Sequence, residues 1–462
     1  MFAERGADDP RRDGQPSKTR RIEMAKPPLS MEPTGWFQVA WSTEIEVGAV
    51  HRMKYFGREM VGWRSASGDL AVFDAYCEHL GAHLGYGGQV QGENLVCPFH
   101  GWEWNREGRN VCIPYESRPN KGRRIRSYPV VERNEAVWIW YDTADRAPYF
   151  EVPDMFEAFG DGKTAADYYP PVPAATLFRP GLELHPQYVM ENGVDFAHFK
   201  VVHKTPFVPE FTRHDFSGPV SYVDFTIAFD EGIAEDQVNS GVESINAGLG
   251  CSITKSWGMV DNRTMPAVTP VDEYTSDVRF TVWIGRKPGD ESPEIGRYGK
   301  TMADFVIEQF EADLHIWAHQ RYSDPPALSQ KEFKGFKALR EWAVQFYNHP
   351  DLELVGLHCY SPDKIGRDAG EIVGIGPIGV VATGSVEEII AARPDVLTFH
   401  GVFPDEELYE KVLEAGINVV TTADWITGFH RDRNHPHPSG RRSATSSRPP
   451  VGMAVPPSTA PA

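Results

Sequence analysis

Along residues 35–145 short apolar runs alternate with polar turns, as in Ala71-Val72-Phe73 and Ala136-Val137-Trp138-Ile139-Trp140. Runs of this length, rich in branched and aromatic side chains, predict a small antiparallel β domain. Residues 146–180 are rich in Pro and acidic side chains and read as a connection. Further strands are expected at 220–229 and 278–285. At 301–322 the period lengthens: Val306, Phe310 and Trp317 fall on one stripe, which predicts an amphipathic helix. After residue 347 the pattern changes again. Strands at 352–360, 379–382, 395–400 and 418–422 interleave with helices at 387–392 and 406–415, an order that predicts parallel pairing. The polar stretches 1–34 and 429–462 read as disordered tails, with Met24 or Met31 as alternative starts.

Composition narrows the class. A net charge of −19 over 462 residues argues against nucleic acid and against anionic membrane surfaces. No apolar run is long enough to span a bilayer, and residues 1–30 contain no apolar export core. Five cysteines without a framework spacing fit a reducing compartment, so the expected location is cytoplasmic.

The chemistry starts at Cys77-Glu78-His79 and Cys97-Pro98-Phe99-His100. Each loop offers one thiolate and one imidazole. That set suits a [2Fe–2S] cluster with two Cys on one iron and two His on the other. A zinc site is the alternative, but zinc knuckles usually pair Cys with Cys and His with His. Residues 80–96 have the length of a β-hairpin that would bring the two tips together. His83 fits no ligand spacing and reads as a supporting or surface residue. Cys112, Cys251 and Cys359 are left over.

A second centre is expected in Glu191-Asn192-Gly193-Val194-Asp195-Phe196-Ala197-His198-Phe199-Lys200-Val201-Val202-His203. Two His and an Asp on an apolar segment point to a 2-His-1-carboxylate iron site. Asp195 and His198 are three apart and would share a helix face. His203 lies roughly 140° further round an ideal helix, so the helix must end or bulge before it. The third ligand is expected at Asp313, which shares the stripe of Val306, Phe310 and Trp317, where a carboxylate is costly unless bound. Asp304, Glu308 and Glu311 read as solvated charges, and His315 and His319 as surface residues.

These motifs resemble the oxygenase (alpha) component of Rieske non-haem iron oxygenases over residues 35–347. Leu339-Arg340-Glu341-Trp342-Ala343-Val344-Gln345-Phe346-Tyr347 further resembles 3-ketosteroid 9α-hydroxylases and cholesterol 7-desaturases. Respiratory Rieske proteins carry extra cysteines where this chain has Ala82 and Phe99, and a hydroxyl where it has Gly101 and Trp102. Fewer hydrogen bonds to the sulfurs imply a lower potential. The resemblance implies an α+β fold: a Rieske domain at 35–145 and a helix-grip catalytic domain at 146–347 with an apolar pocket, which Phe211, Phe216 and Tyr222 could line, although core packing explains these aromatics equally well. It also implies a homotrimer, a flavin/iron–sulfur reductase drawing on NAD(P)H, O2 as co-substrate and a hydrophobic small-molecule substrate. His100 of one subunit would then bond Asp195 of the next, which holds His198 and serves as the electron bridge to it.

Residues 348–428 resemble a partial α/β Rossmann-like segment of dihydrodipicolinate-reductase-like dehydrogenases. The first strand and its glycine turn are missing, and the segment reads as a fusion or a gene-model artefact. Gly374-Ile375-Gly376-Pro377-Ile378-Gly379 spells a dinucleotide fingerprint, but it opens no helix and contains a Pro. Three readings are carried forward. They are a steroid monooxygenase or desaturase, a Rieske oxygenase for aromatic acids or O- and N-alkyl groups, and an electron-transfer protein with an inactive second iron site.

Overall fold

The computed structural model describes residues 29–421 apart from 230–231, 259–260, 324, 344, 346–353, 374–377 and 400–404. The expected tail at 429–462, residues 1–28 of the expected tail at 1–34 and most of the 374–379 glycine segment lie outside the described residues, as does part of the 339–347 motif. Residues 29–34, expected in the N-terminal tail, are instead packed on the fold: Thr34 is buried and its hydroxyl donates to Asp142 at 2.8 Å. The chain divides into two compact units at residues 349 and 350.

The first unit opens with β1 (Gly35–Trp41), β2 (Val50–Tyr55), β3 (Arg58–Arg64), β4 (Leu70–Asp74), β5 (Gln89–Gln91) and β6 (Asn94–Val96). Then follow β7 (Glu103–Trp104), β8 (Asn110–Cys112), β9 (Ser127–Tyr128), β10 (Val130–Arg133) and β11 (Ala136–Tyr141). They form three antiparallel sheets in the orders β1-β11-β10, β2-β3-β4-β9 and β5-β6-β7-β8. Strand β11 is buried on both faces, which accounts for its unbroken apolar run. Val137, Ile139 and Tyr141 pack into the core of the small domain, while Trp138 and Trp140 join the core of the larger one. This strand mortises the two domains together.

The larger domain is a seven-stranded antiparallel sheet. Its strands are β12 (Thr176–Leu182), β13 (Glu210–Asp215), β14 (Val220–Thr226), β15 (Gly241–Ala247), β16 (Cys251–Trp257), β17 (Asn262–Pro270) and β18 (Ser276–Ile284), in the order β12-β18-β17-β16-β15-β14-β13. Four helices accompany it: α1 (Pro186–Asn192), α2 (Ala197–Val201), α3 (Arg297–Trp317) and α4 (Phe333–Ala343). Helix α3 lies on the sheet with the expected stripe inward; Phe310 stacks on Phe280 of β18 at 4.1 Å. It starts four residues before the expected 301 and stops at Trp317, short of 322, after which the chain runs towards Pro325-Pro326.

The segment expected as one helix around Asp195 is two. Helix α1 begins at a His185 cap followed by Pro186 and ends at Asn192. The chain then turns, with the Val194 and Asp195 amides both bonding to the Glu191 carbonyl, before α2 begins at Ala197. Asp195 therefore sits on the turn before α2 and not on a helix face with His198. Helix α2 ends at Val201, before His203, and Lys204 adopts a left-handed φ of 58°.

In the second unit β19 (Leu357–His358) pairs parallel with β20 (Ala382–Thr383), and β21 (Val396–Phe399) pairs parallel with β22 (Asn418–Thr421). Helices α5 (Ala369–Val373), α6 (Val386–Ala391) and α7 (Glu406–Glu414) intervene. Among the described residues the two pairs are separate sheets, and the strands expected at 352–360 and 379–382 shrink to two residues each. The Ile378 and Gly379 amides bond to the Asp368 carboxylate, and the chain passes from there into β20 and not into a helix.

Candidate cluster and metal sites

The two Cys-x-His loops share one backbone design. In the first, the Cys77 amide bonds to the Ala82 carbonyl at 2.9 Å, and the Gly81 amide returns to the Cys77 carbonyl at 2.9 Å. In the second, Cys97 bonds to Trp102 at 2.9 Å and Gly101 to Cys97 at 3.1 Å. Each closing glycine is left-handed, with φ of 74° at Gly81 and 70° at Gly101, which a residue with a Cβ adopts only under strain. The β5–β6 hairpin separates the loops and sets their tips side by side. The His79 and His100 rings lie 4.7 Å apart, and His79 stacks on Trp102 at 4.3 Å. Trp102 is fixed in turn, its indole N–H donating to the Tyr115 hydroxyl at 2.8 Å.

The loops present four atoms that the protein leaves for something else. The Cys77 and Cys97 side chains are buried, and the Nδ1 atoms of His79 and His100 are shielded without a partner. A hydrogen bond between the thiols, Cys77 donating, holds Cys97 down at about 6 and pushes Cys77 up. Two sulfurs and two imidazole nitrogens facing one space fit a [2Fe–2S] cluster with mixed ligation. His83 stands outside this set: its Nδ1 accepts the Gly85 amide at 3.0 Å and its Nε2 lies 3.7 Å from Glu59.

The second site gathers residues far apart in sequence. His198, on α2, His203, just past it, and Asp313, on α3, offer ligand atoms that all lie within 4.8 Å of one another. His203 Nε2 is 3.3 Å from Asp313 Oδ2. Neighbouring groups set both rings. His198 Nδ1 bonds to the Asp195 backbone carbonyl, which leaves its buried Nε2 without a protein partner. His203 Nδ1 bonds to the Gln309 side-chain oxygen at 3.1 Å, turning Nε2 towards Asp313. Asp313 is only 5 % exposed, where an unpaired carboxylate is costly, so this N,N,O set suits a divalent metal, Fe(II) above all. The Asp195 carboxylate lies 3.8 Å from His198 Nδ1. Burial acts to raise its pKa, but the hydrogen bonds and charge of His198 outweigh that and hold it below the usual range.

Sequence reasoning missed two supports. Gln309 lies one turn before Asp313 on the stripe already identified, and that polar intruder on an apolar face was the available signal. Glu191 is also buried, and Arg340 of α4 forks onto it at 2.8 and 3.2 Å. Arg340 also donates to the Ser323 carbonyl at 2.8 Å and lies over the Tyr322 ring. The pair ties α4 to the backbone that carries Asp195.

His203 and Asp313 open onto a cavity of about 750 Å³ between α3 and the sheet. Phe225, Phe280, Val306 and Phe310 give it apolar walls. Among the described residues no Lys or Arg lines it. Of the two accounts open for Phe211, Phe216 and Tyr222, packing holds and pocket lining does not: Phe211 packs against Phe196 and Phe225, Phe216 against Trp342, and Tyr222 under Arg213. Phe216 lies in the turn between β13 and β14, and Tyr222 stands opposite Ile245, on the sheet face turned away from α3.

Cluster loops on an all-β domain, joined to a sheet-and-helix domain with a buried N,N,O site, define a Rieske oxygenase component, a non-haem iron enzyme. Residues 35–129 match the Rieske [2Fe-2S] domain, and residues 139–347 match the 3-ketosteroid 9α-hydroxylase C-terminal domain. The chain is homologous to the 3-ketosteroid-9-alpha-monooxygenase oxygenase component of Rhodococcus rhodochrous, at 27 % identity over 76 % of this chain and 93 % of that protein. It is likewise homologous to cholesterol 7-desaturase of Bombyx mori, at 28 % identity over 76 % of each chain. The caffeine-bound NdmA structure from Pseudomonas putida CBB5 shares the fold: its TM-score is 0.52 at 17 % identity, covering 67 % of this chain and 89 % of that one. An oxygenase component of this kind implies a reductase partner. No helix among the described residues is long and apolar enough to cross a membrane.

Proposed function

We propose that this oxygenase hydroxylates or desaturates an uncharged steroid. The carrying observation is the cavity: about 750 Å³, apolar on the helix side, free of Lys and Arg among its described lining, and open to His203 and Asp313. A compact tetracyclic ligand suits that volume, which lies within the usual range for small-molecule sites. An aromatic acid would bury its carboxylate without a cationic partner. The two curated relatives named above act, by their names, on a 3-ketosteroid and on cholesterol.

In this reading Cys77 and Cys97 hold one iron of the cluster, and His79 and His100 the other through Nδ1. His198, His203 and Asp313 hold the mononuclear Fe(II), with the Asp195 carbonyl and Gln309 fixing the two imidazoles. The bound metals supply one-electron transfer and activation of O2. The cavity walls orient the substrate and exclude water from the site. The protein acts as a homotrimer in the cytoplasm, with a flavin/iron–sulfur reductase that draws on NAD(P)H. Exposed Leu80 and Phe99 beside the cluster histidines support docking of that tip on a second copy, where His100 would meet Asp195. The five cysteines, without a framework spacing, fit a reducing compartment.

Reductase-coupled turnover on a panel of sterols and 3-ketosteroids, read by mass spectrometry, tests the proposal. A product gaining one oxygen marks a hydroxylase, and one losing two hydrogens a desaturase. No product from iron-loaded protein whose cluster is reduced refutes the steroid assignment for that panel.

A further inference from the structure

Strands β15, β16 and β17 alternate as the strands of a one-side-solvated antiparallel sheet do. One face is packed: Ile245, Ala247, Ile253, Met265 and Ala267 are 5 % exposed or less. The other face carries Ser244, Asn246, Ser252, Thr254 and Thr264, and it is the floor of the cavity. Helix α3 roofs this polar face with Met302, Val306 and Phe310, so that Ser244, Asn246, Ser252 and Thr264 are only 9 % exposed or less.

Cross-strand register sets Ser244 opposite Thr254, Asn246 opposite Ser252, and Thr254 opposite Thr264. With strands about 4.8 Å apart, the groups spread about 10 Å across the floor and about 7 Å along it. A single ketone or hydroxyl would cover one point of that area. The groups are partly satisfied among themselves. Ser252 donates to Asn246 at 2.7 Å, Asn246 donates to Ser221 at 3.2 Å, and Thr254 and Thr264 share a bond at 2.6 Å. A hydroxyl has one donor and two acceptor sites, and an amide more, so capacity remains on each. A bare hydrocarbon face laid on this floor strips water from that capacity and returns nothing.

Building on the steroid reading above, we infer that the substrate is facially amphipathic: two or more neutral oxygen functions on one ring face lie on the Ser244–Thr264 floor, and the apolar face packs under α3. The oxygens are hydroxyls or ketones, because no cationic side chain among the described lining residues answers a carboxylate.

The test compares binding of two probes to the full-length, iron-loaded protein by calorimetry. Methyl cholate carries three hydroxyls on one face, and methyl cholanate is the same skeleton without them. The expected result is about tenfold tighter binding of the hydroxylated ester, a ratio that falls towards one in the S252A/T264V variant. Thr→Val keeps the side-chain shape, and the visible cluster spectrum reports that the variant is folded. A 3-ketosteroid serves as the reference ligand. Binding of the reference with a wild-type ester ratio near one overturns the inference alone, as does a ratio that survives the double substitution. Failure of all three ligands to bind overturns the steroid reading and this inference with it.

Discussion

Replacing Arg340 with Met keeps the length of the side chain and its packing over Tyr322 but leaves the Glu191 carboxylate buried without its cation. The two side chains are 17 % and 6 % exposed, so solvent screens their attraction little. At an effective dielectric of about 20, unit charges about 4 Å apart attract by about 4 kcal/mol. Stranding one partner of a buried pair costs about 3–5 kcal/mol. Gln187 retains its bond to Glu191 at 2.9 Å, which places the expected loss at about 3 kcal/mol. The Glu191 carbonyl anchors the amides of Val194 and Asp195, so the turn beneath His198 loosens as well and iron binding weakens. Urea unfolding of R340M, E191M and the double variant, followed by circular dichroism, measures the cycle. Each single variant should lose about 3 kcal/mol, and the double should lose much less than their sum, because it leaves no stranded charge. A loss below about 1 kcal/mol for R340M, or additive losses in the double, would refute this account of α4.

Gln309→Leu removes the acceptor that orients His203, so iron affinity should drop about 10- to 100-fold while the cluster spectrum is unchanged; Fe(II) titration reads the first and absorbance the second. Gly81→Ala and Gly101→Ala should differ. Both force a left-handed Cβ at about 1–2 kcal/mol, but only at Gly101 does the new atom meet Pro114, 2.9 Å away, so the cluster of G101A should bleach at lower urea than that of G81A. His185 accepts the Gln187 amide through Nδ1 and bonds to the Ser30 carbonyl through Nε2, and burial lowers its pKa to about 4. A base held neutral stabilises the fold fully above its unfolded value of 6.5 and loses that stability as pH falls from there to about 4, by about 3 kcal/mol across the window. The gap in urea midpoint between wild type and H185Q should therefore narrow from pH 7.5 to pH 5; a constant gap counts against it.

The most legible chemistry was the most local. Cys77, His79, Cys97 and His100 sit in two short loops whose ligand types and spacing already imply a shared space, and the intervening residues have the length of a hairpin. Asp313 was reachable because a lone carboxylate breaks the stripe of Val306, Phe310 and Trp317. Asp195 was harder. Its spacing from His198 fits a helix, but the carbonyl bonds to Glu191 that close the preceding turn leave no trace in the residue types. The cavity floor was invisible for a different reason. Strict alternation in β15 to β17 reads as a core face and a solvent face, and only the position of α3 makes the second one an interior. Phe211 and Tyr222 show the converse: aromatic residues on strands say that something is packed, and not which side faces the ligand. The strands of the second unit were placed correctly in order, but β19 and β20 contract to two residues because apolar content alone does not say how far a partner extends.

The central claim is that one chain holds a Rieske cluster and a separate iron bound by His198, His203 and Asp313. Iron and sulfide analysis of the wild type and of H203A, with electron paramagnetic resonance of the dithionite-reduced proteins, tests it most directly. The account predicts roughly three irons and two sulfides per wild-type chain, against roughly two irons, the same cluster signal and no reductase-driven oxygen consumption in H203A. An H203A protein that keeps its full iron and its oxygen consumption would contradict it.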